Sequence, residues 1–156
     1  MYASAPQRAR QGERTISLDE LTGVQAIQRK HPDLPMQPGH VLRREFEYIR
    51  HGTLSWFINF DVVTGQVLEP SWGPTRTEED ALAHLQRQIA SDPKAIKWHI
   101  VLDNLNIHQS ESLVRKLLKR GDFRSLDDLR NQILAFIAYY NRTMAKPVKW
   151  TFTGIA

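Results

Sequence analysis

The sequence feature that most limits the fold is a short apolar run that ends in an acidic residue. Residues 100–102 are Ile-Val-Leu, and they come directly before Asp103 and Asn104. A short apolar run bounded in this way predicts a buried strand, and Asp and Asn fit a strand interior poorly, so the strand should end there. Open α/β sheets place their binding sites at strand ends, which makes Asp103 a candidate site residue. The alternative is an ordinary turn in which the Asp103 side chain bonds nearby backbone.

A second acid stands in the same setting far away in the sequence. Residues 15–18 form a β-prone segment, and Asp19 follows them directly. Two carboxylates at the ends of neighbouring strands suit a divalent cation, because hard cations such as Mg²⁺ prefer oxygen ligands. The pair therefore predicts a sheet that brings Asp19 and Asp103 together.

Composition excludes several classes of protein. The chain has 156 residues, enough for one domain with a real core. It has no cysteine, which excludes disulfides and thiolate metal sites. No apolar run reaches membrane-spanning length and the N-terminus lacks the core of a signal peptide, so we expect a cytoplasmic protein without a membrane partner.

The charge is uneven along the chain. Residues 1–103 contain 12 Lys or Arg and 13 Asp or Glu, whereas residues 104–156 contain nine and four. A basic C-terminal third beside a carboxylate site suits a phosphate backbone, although a solvated basic face would look the same.

The remaining elements follow from turn, cap and periodicity signals. Residues 1–14 are predicted to be a remnant linker, and the proline-rich residues 21–38 a loop with at most one helical turn. Residues 52–63 and 66–70 predict an antiparallel ribbon around Thr64-Gly65.

Thr77 predicts a helix start, with Ala81, Leu82, Leu85 and Ile89 as its buried stripe. Further helices are predicted over residues 110–120 and from Ser125 to Asn141, with Asp61 and Asp122 as turn residues.

This order of elements is that of an α/β, ribonuclease-H-like mixed sheet flanked by helices. Several motifs extend the likeness, and together they closely resemble bacterial insertion-sequence transposases of the mariner superfamily, relatives of the retroviral integrases. The motifs are Ser17-Leu18-Asp19-Glu20-Leu21-Thr22-Gly23-Val24-Gln25-Ala26, Arg29-Lys30-His31-Pro32, Arg44-Glu45-Phe46-Glu47-Tyr48-Ile49-Arg50-His51-Gly52-Thr53, Asp61-Val62-Val63-Thr64-Gly65, Leu102-Asp103-Asn104 with His108, Phe123-Arg124-Ser125-Leu126, and Tyr140-Asn141-Arg142-Thr143 with Lys146-Pro147.

The resemblance implies a DNA-cleaving and strand-transferring endonuclease that uses Mg²⁺ or Mn²⁺. Such enzymes carry three acids, the DDE triad, and the motifs place Asp19 and Asp103 in the first two roles as catalytic metal ligands. Asn104 and His108 would line the site. The DNA-binding residues implied are basic: Arg115, Lys116, Lys119, Arg120, Lys146 and Lys149.

The sequence departs from the family pattern in two ways. It starts after the family's helix-turn-helix modules, and the fifth strand and the helix start bearing the third acid look absent. We interpret residues 15–156 as an incomplete catalytic domain with an in-frame internal deletion, in which Glu111 is the weak candidate for a third acid.

Whether such a chain is still an enzyme is open at this point. A different class of function is a non-catalytic remnant that binds DNA or an intact transposase. A third alternative is a pseudogene product without function. Loss of the fifth strand would leave residues 96–102 on an open sheet edge, so self-association is also expected.

Overall fold

The computed structural model describes residues 2–102 and 121–147. The helix predicted over residues 110–120 lies outside them. The described elements, in chain order, are a 3-10 turn Tyr2–Ser4, α1 Ala5–Arg10, β1 Glu13–Arg29, β2 Tyr48–Asp61, β3 Val67–Gly73, α2 Glu78–Ser91, β4 Lys97–Leu102 and α3 Leu126–Thr143.

The four described strands form one mixed sheet in the order β3-β2-β1-β4. β2 is antiparallel to both β1 and β3, whereas β4 is parallel to β1. The parallel pairing of the first and fourth strands and the flanking helices confirm the predicted ribonuclease-H-like sheet. The last pair in the parallel ladder joins Leu18 to Leu102.

Polar contacts fasten β4 to β1 at the start of this ladder. The His99 ring and the Glu13 carboxylate approach to 2.5 Å, and this hydrogen bond holds the pKa of Glu13 below its usual value. Arg14 Nη2 lies 2.6 Å from the Asp92 carboxylate in the turn that leads into β4. These contacts fix which residue of β4 lies beside which residue of β1.

β1 is much longer than predicted, and the prediction of a loop from residue 21 onward was wrong. The strand continues to Arg29 because Val24 and Ala26 both pack into the core on one side of the sheet. Its partner β2 likewise starts early, at Tyr48. Gly52 lies inside β2 with φ +116°, where a Cβ atom would stand 3.2 Å from the Leu126 side chain. Helix α3 therefore begins directly against this glycine.

The main hydrophobic core lies between the sheet and α3. Leu129, Ile133 and Ile137 of α3 are buried against Leu54 and Trp56 of β2. A helix with apolar residues at this spacing buries one stripe, as the sequence predicted. Ser125 caps α3 by accepting a hydrogen bond from the Asp128 backbone N–H, also as predicted.

Helix α2 covers the opposite side of the sheet, but with a different stripe from the predicted one. Its start is as expected, with a capping box between Thr77 and Asp80. Of the predicted stripe, Ala81 and Leu85 are partly buried, but Leu82 and Ile89 are exposed, and the fully buried residues are His84 and Gln88.

The polar stripe of α2 is buried because the sheet offers it polar partners. Asn59 Nδ2 donates to Gln88 Oε1 at 2.7 Å, and the Ser71 hydroxyl lies 2.8 Å from His84 Nδ1. The Phe57 ring stacks on the His84 ring at 5.4 Å between centroids. These bonds offset part of the cost of burying polar groups, although His84 Nε2 and Asn59 Oδ1 are buried without a hydrogen-bond partner in the described part of the chain. Apolarity alone therefore misassigned the inner face.

The outer edge of β3 is closed by α3 rather than by another strand. The prediction that Asn141 ends α3 was wrong, because the helix continues to Thr143. Instead, Asn141 Oδ1 accepts the Val67 backbone N–H at 2.8 Å, and its Nδ2 donates to the Val67 carbonyl at 2.7 Å. Further along β3, Glu69 has φ +36° and Pro70 has no N–H to offer, so this edge is irregular.

Candidate functional site

Asp19 lies on β1, one residue beyond the last pair of the parallel ladder. It faces Ile58 of β2 across the antiparallel ladder, and Leu21, two residues further on, lies on the same side of the sheet. Ile58 and Leu21 both pack against the core under α3, so Asp19 is on the α3 side. Its side chain is partly exposed.

The carboxylate of Asp19 has no hydrogen bond or ion pair with any residue in the described ranges. The next residue, Glu20, points to the other side of the sheet, where its Oε2 lies 3.5 Å from Arg76 Nη1. The two consecutive acids therefore differ: Glu20 faces the guanidinium of Arg76, whereas the Asp19 carboxylate has no partner among the described residues. An available carboxylate at the end of a strand pair fits a role as an oxygen ligand for a divalent cation.

The N-terminal segment lies on the same side of the sheet as Asp19. The Tyr2 hydroxyl lies 3.4 Å from the Ser17 hydroxyl, and Ser17 is two residues before Asp19 on the strand. Ala5, the first residue of α1, is fully buried. This segment therefore forms part of the surroundings of the candidate site, which its irregular sequence did not indicate.

Asp61 is a buried acid at the end of β2, and its side chain stabilises the turn after that strand, as predicted. It pairs with Ile16, which places it on the other side of the sheet from Asp19. Its Oδ1 accepts the backbone N–H groups of Val63 at 2.7 Å and Thr64 at 3.1 Å. An acid used in this way is not available to Asp19 as a partner.

The acids after residue 120 have structural partners too. Asp122 Oδ1 accepts the Arg29 backbone N–H at 2.6 Å, so it ties the approach to α3 onto the far end of β1 rather than only turning the chain. Asp127 pairs with Arg130 at 3.0 Å. Hydrogen bonds from Gln132 and the Arg124 backbone N–H hold the pKa of Asp128 below its usual value.

Within residues 2–102 and 121–147, no three His, Asp or Glu side chains are grouped closely enough to hold a metal ion. The other predicted site residues lie outside the described residues: Asp103, Asn104, His108, Glu111, Arg115, Lys116, Lys119, Arg120 and Lys149. Of the predicted DNA-binding residues, Lys146 alone falls in a described range, and it is exposed at the end of the chain segment after α3.

Three of the described histidines, His51, His84 and His99, have packing or cross-strand roles. His84 is 1% exposed, and burial lowers its pKa to about 4, which keeps the ring neutral at physiological pH. His99 bonds Glu13, and His51 Nε2 lies 2.8 Å from Gln28 Oε1.

A mixed sheet whose first and fourth strands are parallel, with an available acid where their pairing stops, is typical of ribonuclease-H-like nucleases. The family model of the DDE superfamily endonucleases matches residues 14–143. The chain belongs to this family, which supports a transposase-like nuclease with DNA as its substrate. Nucleases of this superfamily generally use divalent metals.

The other comparisons add no relative: no curated protein and no solved structure matches the chain. In the described part of the chain, no helix is both long and apolar enough to cross a membrane.

Proposed function

We propose that this chain is the catalytic domain of a DDE transposase of the mariner superfamily, encoded by an insertion sequence. Its reaction is Mg²⁺-dependent cleavage of DNA strands followed by strand transfer. The observation that carries the proposal is the β1–β4 ladder, which ends with Leu18 beside Leu102. In the sequence, Asp19 follows Leu18 and Asp103 follows Leu102.

Asp19 and Asp103 are the residues we propose to hold the metal, with Mn²⁺ as a substitute for Mg²⁺. Bound divalent ions of this kind activate an attacking oxygen and stabilise a leaving oxygen in phosphodiester chemistry. Described residues position the two strand ends and surround Asp19. Ile58 and Leu21 flank Asp19 with apolar surface, and the Glu13–His99 contact holds the register that sets the two strand ends side by side.

Glu111 is the weak candidate for the third acid of the proposed triad. Asp103 and Glu111 are the acids in the parts of the chain outside the described ranges. Glu20 and Asp61 face the other side of the sheet from Asp19 and have partners there. Since Glu111 stands in a sequence that departs from the family pattern, we propose that an internal deletion has moved or removed the usual third acid and has impaired activity. Sequencing an intact copy of the element tests this, because a copy of the same length would exclude a deletion.

Asn104 and His108 are proposed to line the site, and the basic C-terminal third to contact phosphates. The residues proposed for these phosphate contacts are Arg115, Lys116, Lys119, Arg120, Lys146 and Lys149. Such contacts are independent of base sequence and weaken steeply with salt. We propose that the protein acts in the cytoplasm.

Asp19→Asn is expected to reduce Mg²⁺- or Mn²⁺-dependent nicking of supercoiled plasmid by about 100-fold or more. Removing even an outer partner of a metal ligand typically costs 10–100-fold, so losing a ligand itself should cost at least the upper figure. Conversion of supercoiled to open-circular plasmid measures the rate.

Glu20→Gln is the matched control, because it neutralises the adjacent carboxylate on the other side of the sheet. It should nick at nearly the parent rate. Equal nicking by the parent and Asp19→Asn would remove Asp19 from the site, and equal losses in both variants would mean that the effect is on folding or net charge.

A second candidate function, association with an intact transposase or with another copy, is favoured by the exposed residues of β4 and its approach. Ile96 is 79% exposed and Leu102 is 70% exposed, and β4 pairs with no described strand other than β1. An edge strand that carries exposed apolar residues can pair with a strand of another chain through its backbone N–H and C=O groups.

Lys97→Pro tests this second function, since it should weaken self-association and co-purification with a full-length transposase. Lys97 is the first residue of β4, which lies at the edge of the described sheet, and proline is tolerated at the first residue of a strand. Proline there removes one backbone N–H from this edge strand.

Lys97→Ala is the control for Lys97→Pro, because it removes the same charge and keeps the N–H. Sedimentation velocity over a range of concentrations measures the association. A parent protein that stays monomeric at all concentrations and does not co-purify with the transposase would contradict this second function.

A further inference from the structure

The connection between β1 and β2 is a narrow two-stranded ribbon that extends away from the sheet. We call residues 30–47 the arm. Backbone hydrogen bonds cross it at three levels: Lys30 N–H to the Glu47 carbonyl at 3.0 Å, Leu34 with Arg43 in both directions at 2.9 and 3.2 Å, and Gln37 with His40 in both directions at 3.1 and 2.9 Å. Gly39, with φ +81°, closes the turn at the tip. The arm is therefore an ordered ribbon held by its own bonds.

Apolar side chains are exposed along the whole arm and at its base. The exposed fractions are 61% for Leu34, 76% for Met36, 75% for Val41, 46% for Leu42 and 81% for Phe46, with Tyr48 at 50% and Ile49 at 46%. Such a density of exposed apolar groups is rare on a surface that meets only water, and it marks an interaction surface. In the described part of the chain, none of these residues belongs to the core under α3.

The acids of the arm are used within the arm. Asp33 pairs with Arg29 at 3.3 Å, and Glu47 pairs with Lys30 at 2.7 Å. Glu45 Oε1 accepts the backbone N–H groups of Phe46 and Glu47, both at 2.8 Å, and these bonds lower its pKa, so it stays ionised and locally bonded.

Three cations of the arm and its base remain available. Arg43, Arg44 and Arg50 are exposed, and none has an ion pair with a described residue. The charge that the arm presents outward is therefore positive, although its sequence contains acids. A positive ribbon that also exposes apolar side chains needs a partner that offers both negative charge and apolar surface.

We propose that the arm is a second DNA-binding surface, separate from Asp19, and that its ribbon lies in a groove of duplex DNA. A two-stranded β-ribbon fits a DNA groove. In the major groove, which admits such a ribbon, apolar side chains can contact thymine methyl groups and arginines can contact phosphates or guanine. The eight steps from Lys30 to Pro38, at about 3.3 Å each, give the arm a reach of up to about 26 Å, well beyond the major-groove depth of about 8.5 Å.

A second copy of the chain is a poorer partner for the same surface. In a symmetric contact the same patch meets itself, so Arg43, Arg44 and Arg50 of one copy would face those of the other. Like charges brought together in this way oppose association. That the partner is DNA rests on the proposed function. The arm itself is far from the proposed metal ligands, so its binding to DNA can be tested separately from cleavage.

The arm also gives the protein a longer contact with DNA than the site alone. Lys30 stands eleven residues beyond Asp19 in the sequence, which at about 3.3 Å per residue is up to about 36 Å in the direction of β1. Contacts at both places would hold one duplex at two points, and the arm would fix its direction relative to the site.

Arg43→Gln/Arg44→Gln tests the proposal by fluorescence anisotropy with a short labelled duplex in EDTA. The double variant should bind about tenfold more weakly at about 50 mM salt, and the slope of log affinity against log salt should fall by about 2, one for each lost phosphate contact. Arg87→Gln/Lys94→Gln removes two exposed cations from the α2 side of the molecule and is the matched control. It should bind within about twofold of the parent.

Phe46→Ser separates DNA from a protein partner, because it removes the most exposed apolar side chain of the arm without changing charge. Weaker DNA binding with unchanged sedimentation supports the proposal. Unchanged DNA binding in both arm variants overturns it, and a change in sedimentation without a change in DNA binding makes the arm a protein-binding surface instead.

The anisotropy assay contains no metal, so its result is independent of nicking. A protein that binds DNA through the arm but never nicks it refutes the proposed reaction and keeps the arm. A protein whose Asp19-dependent nicking survives while the arm variants bind DNA like the parent refutes the arm and keeps the reaction.

Discussion

Replacing Trp56 with alanine should lower the free energy of unfolding by about 3–5 kcal/mol, the usual cost of deleting a large buried aromatic side chain. Trp56 is 1% exposed and belongs to the core cluster with Leu54, Leu129 and Ile133. A loss of this size is a large part of the total stability of a domain, about 5–15 kcal/mol. Urea unfolding followed by circular dichroism measures it.

Trp72→Ala is the matched control, because Trp72 is the cross-strand neighbour of Trp56 on β3. The two rings lie 5.1 Å apart, but Trp72 is 40% exposed and its other ring contact is the Arg130 guanidinium at 5.9 Å. Losing it should cost about 1 kcal/mol, the value of an aromatic pair and an exposed cation–π contact. Equal losses in the two variants would show that the core does not centre on Trp56.

Acidification should destabilise the fold through His84 by about 3 kcal/mol. Burial lowers the folded pKa of His84 to about 4, against an ordinary value of 6.5. A depressed histidine pKa means that the unfolded chain binds the proton more readily. Stability is therefore full above pH 6.5 and falls as the pH drops from about 6.5 to about 4, by about 1.4 kcal/mol per pKa unit of difference.

His84→Gln removes this titration and keeps a polar side chain near Ser71. Between pH 7 and pH 4 the variant should lose about 3 kcal/mol less stability than the parent, because other groups titrate equally in both proteins. His31→Gln is the control, since His31 is exposed on the arm, and it should follow the parent. Parallel pH profiles for the parent and His84→Gln would mean that the ring is charged inside the fold.

Features set by near neighbours in the chain were predictable from the sequence. The capping residues Thr77 and Ser125 each bond a backbone N–H three residues later, and both were identified. The Asp61 turn was predictable for the same reason. The parallel β1–β4 pair was also predicted, because apolar runs that end in acids are local signals whose order along the chain implied the sheet.

Features set by distant partners were missed. The length of β1 depends on its pairing with β2 and on the core under α3, which no local signal in residues 21–29 reports. The buried side of α2 depends on Asn59 and Ser71, which lie on other elements. In the candidate site, strand alternation is enough to predict that Asp19 and Glu20 lie on opposite sides of the sheet. The ion pair between Glu20 and Arg76 was not predictable, because the two residues are far apart in the sequence.

The closed edge of β3 limits the kind of assembly that this sheet can build. One side of the sheet ends in the hydrogen bonds between Asn141 and Val67, the irregular Glu69 and Pro70, whereas β4 at the opposite side pairs with no described strand beyond β1. A sheet that can be extended at both sides permits head-to-tail growth into fibres. A sheet that can be extended at one side only joins a second copy edge to edge, and both open edges are then consumed. Growth by strand addition stops at two chains.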